Sequence, residues 1–430
     1  MINQISRLKR IVLHNKNFFY LWLAQIFTQS AVSIITINMG ILSHEGIISS
    51  SMKDSAVSIG ILVNLSTLPG LLVAPLAGVF ADWFPKRKIM IISNLLRFGI
   101  LIIFLATRGW ERVLDSYILI FVLSVVLQFF IPAEGGLIPR LVKKKYILLA
   151  NSLFSITVYS SLAFGVTISG VILSIFGIKN MFILCTIFIV ISTWLLLKIH
   201  IYEPRKSKRS INYLLGFFSN LIKDVGSGIK YSFGKSKLRF ALFHLLLLQI
   251  VALTLVTIIF RIGSEIYGVS PRTAGIVVFV PLIVGLLLGL ATLNIFGRNK
   301  SRVKLIWLGT IFSSFAFGLM AVIALADDFL EKYLLSQIIA TISLVAVGIC
   351  VPFLLIPGQT LLYENTEKSF RGRVLGIWQA LTSSLASVVA IFIGFLTDRV
   401  GDVFIAIILI VIADIIYSIV IYWLQKKHKI

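Results

Sequence analysis

The sequence predicts an all-α membrane protein of about 12 transmembrane helices, arranged as two pseudo-symmetric six-helix bundles. Three observations predict it. Hydrophobic residues make up 58% of the 430 positions and charged ones only 13%, with a mean hydropathy of +1.00; a soluble domain carries about 25% charged residues. Apolar runs of about 20 residues, enough to cross the hydrocarbon core, follow one another almost back to back. Basic residues gather in alternate loops, as the positive-inside rule expects of a chain that crosses a bilayer repeatedly.

Taken in order, the apolar spans fall at about 18–42, 57–81, 89–107, 115–137, 147–176, 180–202, 239–263, 273–297, 303–326, 333–357, 372–397 and 401–424. Arg7, Lys9, Arg10 and Lys16 precede the first span. Lys86, Arg87 and Lys88 follow the second, and Arg140, Lys143, Lys144 and Lys145 the fourth. The loop after the sixth is rich in bases from Arg205 to Arg239. Arg298, Lys300, Arg302 and Lys304 follow the eighth, and Lys368, Arg371 and Arg373 the tenth. Lys426, Lys427 and Lys429 come after the last. The opposite loops are neutral or acidic, as at Asp327, Asp328 and Glu331. An odd error in the span count would scramble this alternation, so both termini are expected in the cytoplasm. The first apolar stretch is too long for a signal-peptide core and lacks a small-x-small cleavage site, so it reads as an uncleaved span.

The net charge of +23 comes from 40 basic and 17 acidic residues. Because the bases sit in short loops between apolar spans, topology accounts for them, and nucleic acid is not an expected partner. Cys185 and Cys350 lie far apart inside spans, and the five histidines (His14, His44, His200, His244, His428) form no ligand motif. Neither pattern supports a disulfide framework or a metal centre. No phosphate-binding loop, dinucleotide fingerprint or Ser-His-Asp arrangement is present, which points away from an enzyme, from a bound cofactor and from direct ATP drive.

The longest loop lies mid-chain and divides the sequence into a bundle over 1–202, a linker over 203–238 and a bundle over 239–430. Within the linker Leu214, Phe217, Phe218, Leu221, Ile222, Val225 and Ile229 recur at three- and four-residue spacing, the stripe of a helix lying along a membrane surface. Lys223 and Lys230 would reach lipid phosphates from it. The halves read as degenerate copies. Ile131-Pro132-Ala133-Glu134 ends the fourth span as Ile356-Pro357-Gly358-Gln359 ends the tenth, and Gly78-Val79-Phe80-Ala81-Asp82 is echoed by Gly289-Leu290-Ala291-Thr292-Leu293-Asn294. Repeated halves with a substrate path between them are a transporter signature.

The segment Gly78-Val79-Phe80-Ala81-Asp82-Trp83-Phe84-Pro85-Lys86-Arg87-Lys88 resembles the loop 2–3 signature of the major facilitator superfamily, departing from it at Trp83 and Pro85. In physical terms, Gly78 would let two helices approach closely, and Asp82 would cap or pair at a helix end. Pro132 to Val142 with Ala150-Asn151-Ser152-Leu153 is similar to the loop 4–5 region of the subgroup holding the enterobactin exporter, macrolide-efflux proteins and the lysophospholipid transporter. Arg371-Gly372-Arg373-Val374 with Gly394 to Arg399 resembles the same subgroup. The resemblance implies the major facilitator fold and a monomeric secondary transporter that alternates between inward- and outward-open states in a bacterial inner membrane. It also assigns Asp82, Lys86, Arg87 and Arg97, with Gly78 and Glu134, to gating of the cytoplasmic side.

Ionisable residues inside spans are few, and each costs about 2.5–3.5 kcal/mol at a helix centre. Asp414, mid-way along the last span, is the candidate for ion coupling. Glu134 is expected to pair with a cytoplasmic base, and Arg261 and Glu265 to snorkel at the outer end of span seven. The acidic residue that efflux members of the subgroup carry in span one is missing, since Ala31 and Val32 stand there. Gln25, Gln29 and Asn38 in that span, Asn64 in the second, Tyr159 in the fifth and Gln249 in the seventh are candidates for a substrate cavity. Amides in place of charges favour an amphipathic small molecule, exported from the cytoplasm, or a lysophospholipid moved between leaflets. A third possibility is a membrane scaffold on the same fold that transports nothing. Membrane lipids are the remaining expected partner.

Overall fold

The computed structural model describes residues 15–45, 56–143, 146–202, 226–227, 229–297, 300–326, 333–367, 370–400 and 403–426. Among them there is no strand. The helices are α1 (Lys16–His44), α2 in two pieces (Ala56–Leu72 and Ala74–Trp83), α3 (Lys86–Ala106), α4 (Val113–Leu141), α5 and α6 (the two halves of Ile147–Leu197), α7 (Ser236–Arg261), α8 (Pro271–Phe296), α9 (Arg302–Ala326), α10 (Tyr333–Glu364), α11 (Arg371–Val400) and α12 (Phe404–Lys426).

Among the described residues, nine helical stretches are long and apolar enough to cross a membrane. Three further crossings come from α2, from α11 and from the division of Ile147–Leu197 at Gly177. That division has a plain cause. Gly177 takes φ 72° and ψ 171°, a backbone that glycine adopts without a Cβ clash, so one continuous helix becomes two spans. In α2 the break falls at Val73, with Pro75 in the first turn of the second piece, where a missing N–H costs nothing. The linker helix expected over 214–229 lies, but for its last residues, outside the described residues.

The chain forms two compact units, Met1–Lys53 with Leu65–Arg209 and Asp54–Asn64 with Ser210–Ile430. In the first, α1 packs along α5 and α6, α2 against α4, and α3 against α4 and α6. In the second, α7 packs on α11, α8 and α9 on α10, and α9 on α12. Shifting the helices of the first set by six gives the second, except that α7 touches α12 only lightly where α1 packs along α6, so the repeat read from the sequence is largely a repeat of packing partners. Phe18, Leu21, Met90, Phe130, Leu137 and Leu196 fill one core; Leu238, Leu242, Ile306, Leu362, Val374 and Ile421 fill the other. Many other large apolar side chains are exposed, such as Ile103, Ile175, Phe315 and Ile416. In water that surface would aggregate; in lipid it costs nothing.

Without a hydrophobic force between helices in lipid, close backbone approach does much of the packing. Gly285 and Gly289 on α8 lie against the backbone of Val345, Gly348 and Ile349 on α10, where any Cβ would collide. Gly165 on α5 rests on Ser33 of α1 in the same way. Gly78 does not act so. A Cβ placed there meets nothing within 4 Å among the described residues, which corrects the expected close approach. The tight contact belongs to its echo, Gly289.

Candidate functional site

In the first unit a chain of polar contacts runs through the apolar core. Arg97 on α3 is 1% exposed. Its Nη1 donates to Asn94 Oδ1 at 2.9 Å, three residues back on the same helix. Asn94 Nδ2 donates to Ser192 Oγ on α6 at 2.9 Å, and that hydroxyl reaches the Ala24 carbonyl of α1 at 2.9 Å and Thr28 Oγ1 at 2.7 Å. The guanidinium carbon lies 4.9 Å from the Phe130 ring centroid, a cation–π contact worth more when desolvated.

Glu134 on α4 is 6% exposed and within electrostatic reach of Arg97. No bond joins the two. Glu134 Oε1 and Arg97 Nε and Nη2 have no hydrogen-bond partner among the described residues. The pairing expected with a loop base is thus not the one formed. The charge that Glu134 faces comes from within the bundle, because α3 carries Arg97 inward beside α4.

The bases of the loop between α2 and α3 cap helix ends. Lys86 Nζ donates to the Ala81 carbonyl at 2.9 Å, with its stem over Gly136 of α4. Arg87 Nε and Nη2 donate to the carbonyls of Leu196 and Leu197 at 2.9 and 2.6 Å, closing the last turn of α6. These carbonyls are among the four that every helix leaves open at its C-terminus, and cations are favoured there. The Asp82 side chain lies outside the described residues.

Within the first unit, Gln25 and Asn38 lie on different sides of α1. Gln25 is buried, and its Nε2 donates to the Phe154 carbonyl of α5 at 3.3 Å. Asn38 Nδ2 turns back to its own helix at the Ile34 carbonyl, 2.9 Å away. Thirteen residues at 100° each put Asn38 about 140° around α1 from Gln25. Gln29, one turn from Gln25, is half-buried, as are Asn64 on α2 and Gln249 on α7. The oxygens Gln25 Oε1 and Asn38 Oδ1 have no partner among the described residues. The Tyr159 side chain lies outside them.

The second unit holds an ionic cluster at the end of α7. Arg261 Nη2 lies 3.0 Å from Asp398 Oδ1 on α11, and its Nη1 lies 3.2 Å from Glu265 Oε1. Asp398 Oδ2 accepts the Val57 N–H at 2.9 Å, and Glu265 Oε2 the Val403 N–H at 2.8 Å. Glu265 sits in a π-turn, Ile262–Ile266; such turns mark functional positions in many helices. Arg261 and Glu265 therefore do not snorkel. Their charges meet Asp398 and backbone donors, a partner set that no spacing along one helix discloses. Asp398 appeared in the sequence only as part of a motif.

Asp414, mid-way along α12, accepts a hydrogen bond from Ser313 Oγ of α9 at 2.7 Å. Outside the spans, Lys235 Nζ lies 2.8 Å from both Glu367 Oε1 and Tyr231 Oη, and the Tyr231 ring stacks on Phe370 at 4.1 Å. The hydrogen bond to Glu367 raises the Lys235 ammonium above its ordinary value, and the same bond lowers the Glu367 carboxyl. No group of three or more potential metal ligands occurs among the described residues.

Comparison with known proteins places this geometry. The family model described as Major Facilitator Superfamily matches residues 21–390. The uncharacterized MFS-type transporter YkuC of Bacillus subtilis (strain 168) is 24% identical over 221 residues, 51% of this chain and 50% of YkuC. YfiS, another uncharacterized MFS-type transporter of that organism, is 27% identical over 132 residues, 30% of this chain and 31% of YfiS. The chain thus spans about half the length of the first relative and a third of the second. Among solved structures, the POT family transporter PepTSo superposes with a TM-score of 0.70 at 12% identity, covering 96% of this chain and 98% of that one. The nucleoside transporter NupG gives 0.65 at 12% identity, covering 94% and 99%. At these identities the likeness is one of fold.

Proposed function

Because the chain belongs to the major facilitator superfamily, a family of membrane transporters, we propose that it is a secondary active transporter exporting an amphipathic small molecule by alternating access. One observation carries the reading. Arg97 and Glu134 are buried in an apolar bundle with unmade hydrogen bonds and face each other without touching. A buried polar group without a partner costs about 1–3 kcal/mol, and more when charged. A bundle that tolerates this in one conformation is stabilised by closing the pair in another. Cycling between two such states is what alternating access requires.

On this reading Arg97 and Glu134 form a switchable pair, and Lys86 and Arg87 release and regrip the ends of α2 and α6. Asp82 and Gly78 belong to the same gate through the loop 2–3 resemblance. Gln25, Gln29, Asn38, Asn64, Tyr159 and Gln249 meet the substrate as amide and hydroxyl groups, which suits an uncharged polar portion on an otherwise apolar solute. The protein acts as a monomer in the cytoplasmic membrane, among lipids and with both termini inside.

Everted membrane vesicles carrying wild type or Asp82→Asn, energised and incubated with a cell extract, test the proposal by mass spectrometry of their contents. Enrichment of a solute only in energised wild type supports it. No enrichment in any condition sinks it. A second reading, lysophospholipid movement between leaflets, is favoured by the absence of any acidic residue in α1. Its mark is lipid redistribution in vesicles without an ion gradient.

A further inference from the structure

We propose that the groove between α3 and α6 binds one anionic phospholipid, with an acyl chain lying between the two helices and the phosphate at Arg108 and Lys179. The groove belongs to the first unit and encloses about 230 Å³. Phe98, Ile102 and Leu105 line it from α3, and Ile183, Ile187 and Val190 from α6. Thr186, the remaining lining residue, spends its hydroxyl on the Phe182 carbonyl of its own helix at 2.8 Å. Five of the six apolar side chains are exposed, all but Leu105, so the groove opens on the surface of the unit and not into its polar core. An unfilled space of this kind forfeits the dispersion contacts of its walls. In a membrane-spanning chain the apolar matter at hand to fill it is an acyl chain.

The fold frames the groove at both ends. Toward the basic loop, Asn94 of α3 is tied to Ser192 of α6 at 2.9 Å. Toward the opposite end the Phe104 and Phe182 rings meet with centroids 4.9 Å apart, and Trp110 stacks on Phe182 at 6.0 Å. The two ties are ten residues apart on α3 and ten apart on α6, which is about 15 Å along each helix. Half of a hydrocarbon core about 30 Å thick has the same length. Asn94 stands about 12 Å from the Lys86 end of α3, so the groove covers the half of the span away from Lys86, Arg87 and Lys88. A slot of that length and position takes one acyl chain of one leaflet.

The mouth carries the charge that a headgroup needs. Arg108 follows Phe104 by four residues and Lys179 precedes Phe182 by three, so each stands about 5 Å beyond the aromatic contact. Lys179 is exposed and has no hydrogen bond or ion pair among the described residues. Arg108 reaches Glu111 only at 3.8 Å, with both side chains in solvent. Such a pair is weak and leaves most of the five guanidinium N–H donors open. Arg112 and Asp115, further along, balance each other. Two cations against one carboxylate leave the mouth positive, complementary to an anionic phosphate. Arg108 also has the only positive φ of a non-glycine residue among the described residues, 50°, and such backbone persists where its surroundings over-determine it. Here Trp110 is packed on Phe182, and Gly109 lies against the Phe104 ring, where a Cβ would collide. The turn thus holds the Arg108 backbone at the mouth in advance of any ligand.

Native mass spectrometry of the full chain, released from nanodiscs holding equal amounts of phosphatidylglycerol and phosphatidylcholine with the same acyl chains, tests the site without a transport assay. The wild type should keep one phosphatidylglycerol after the other lipids are stripped, favoured over phosphatidylcholine by about fivefold, the factor that goes with one net basic residue near an anionic lipid. Ile187→Trp, which fills the groove, should lose that lipid. Ile103→Trp, at an exposed α3 position outside the groove, should keep it. Lys179→Gln, a change at an exposed residue, should remove the preference between headgroups, and it decides the matter should Ile187→Trp fail to fold. Retention in Ile187→Trp equal to wild type overturns the proposal, as does an equal loss in Ile103→Trp, since either marks annular lipid only. A preference absent from the wild type, or unmoved by Lys179→Gln, overturns it as well.

Discussion

Replacing Arg261 by Gln would remove the cation that Asp398 and Glu265 share. Breaking a buried ion pair from one side costs about 3–5 kcal/mol. Here the side chains of Arg261, Asp398 and Glu265 are 13%, 21% and 32% exposed, and both carboxylates keep a backbone N–H donor. Discounting for that solvation leaves about 2 kcal/mol for Arg261→Gln, and about 1 kcal/mol for Asp398→Asn, which retains an acceptor for Val57. In a unit of this size 2 kcal/mol corresponds to a melting midpoint lower by about 4–8 °C. The assay is built into the sequence. Cys185 and Cys350 are the two cysteines and both are buried, one in each unit, so a thiol-reactive dye on Cys185→Ser or Cys350→Ser reports each unit separately. Destabilisation should appear at Cys350 and not at Cys185. The double variant should cost less than the sum of the singles by about 1 kcal/mol, since Asp398→Asn relieves the repulsion that Arg261→Gln creates. Additivity within about 0.5 kcal/mol would refute the coupling, and an equal fall at Cys185 would show that the cluster does not belong to the second unit alone.

Gly285→Val drives a side chain into the backbone of Val345 and Gly348, and should abolish the folded second unit in the same dye assay. Gly78→Ala meets open space and gains helix propensity of up to about 1 kcal/mol, so its midpoint should hold or rise; a loss comparable to Gly285→Val would contradict the packing described. Lys235 and Glu367 give a pH dependence of defined sign. The folded Glu367 carboxyl is held below its ordinary value, so its contribution is present above the unfolded pKa near 4.3 and fades as pH falls through the lower folded value. The midpoint difference between wild type and Glu367→Gln should shrink to nothing in that acid range and hold steady from about pH 5 upward to the Lys235 range; a difference growing toward acid would reverse the assignment.

The fold was legible because a bilayer admits few solutions. Apolar runs must be helices to satisfy their backbone, basic loops alternate by side, and a repeated Pro motif ties α4 to α10. Even the boundary between α5 and α6, drawn between 176 and 180 from the apolar runs, falls at Gly177, the residue on which the chain turns. The site was legible only in its charges. Arg97, Glu134 and Asp414 stand out because each costs free energy in an apolar span, whatever it touches. Their partners did not stand out. Asp398, Ser313 and Ser192 are common surface or helix residues until a neighbouring helix brings them to 3 Å. Gly78 and Gly289 look alike in one dimension, and only the path of the facing helix decides which of them is crowded. The sequence by itself determined that this chain spans a membrane as two six-helix halves, because solvent acts on each residue singly. Which polar groups meet, and which bonds stay unmade, the tertiary structure decided, because hydrogen bonds act over about 3 Å between helices far apart in the chain.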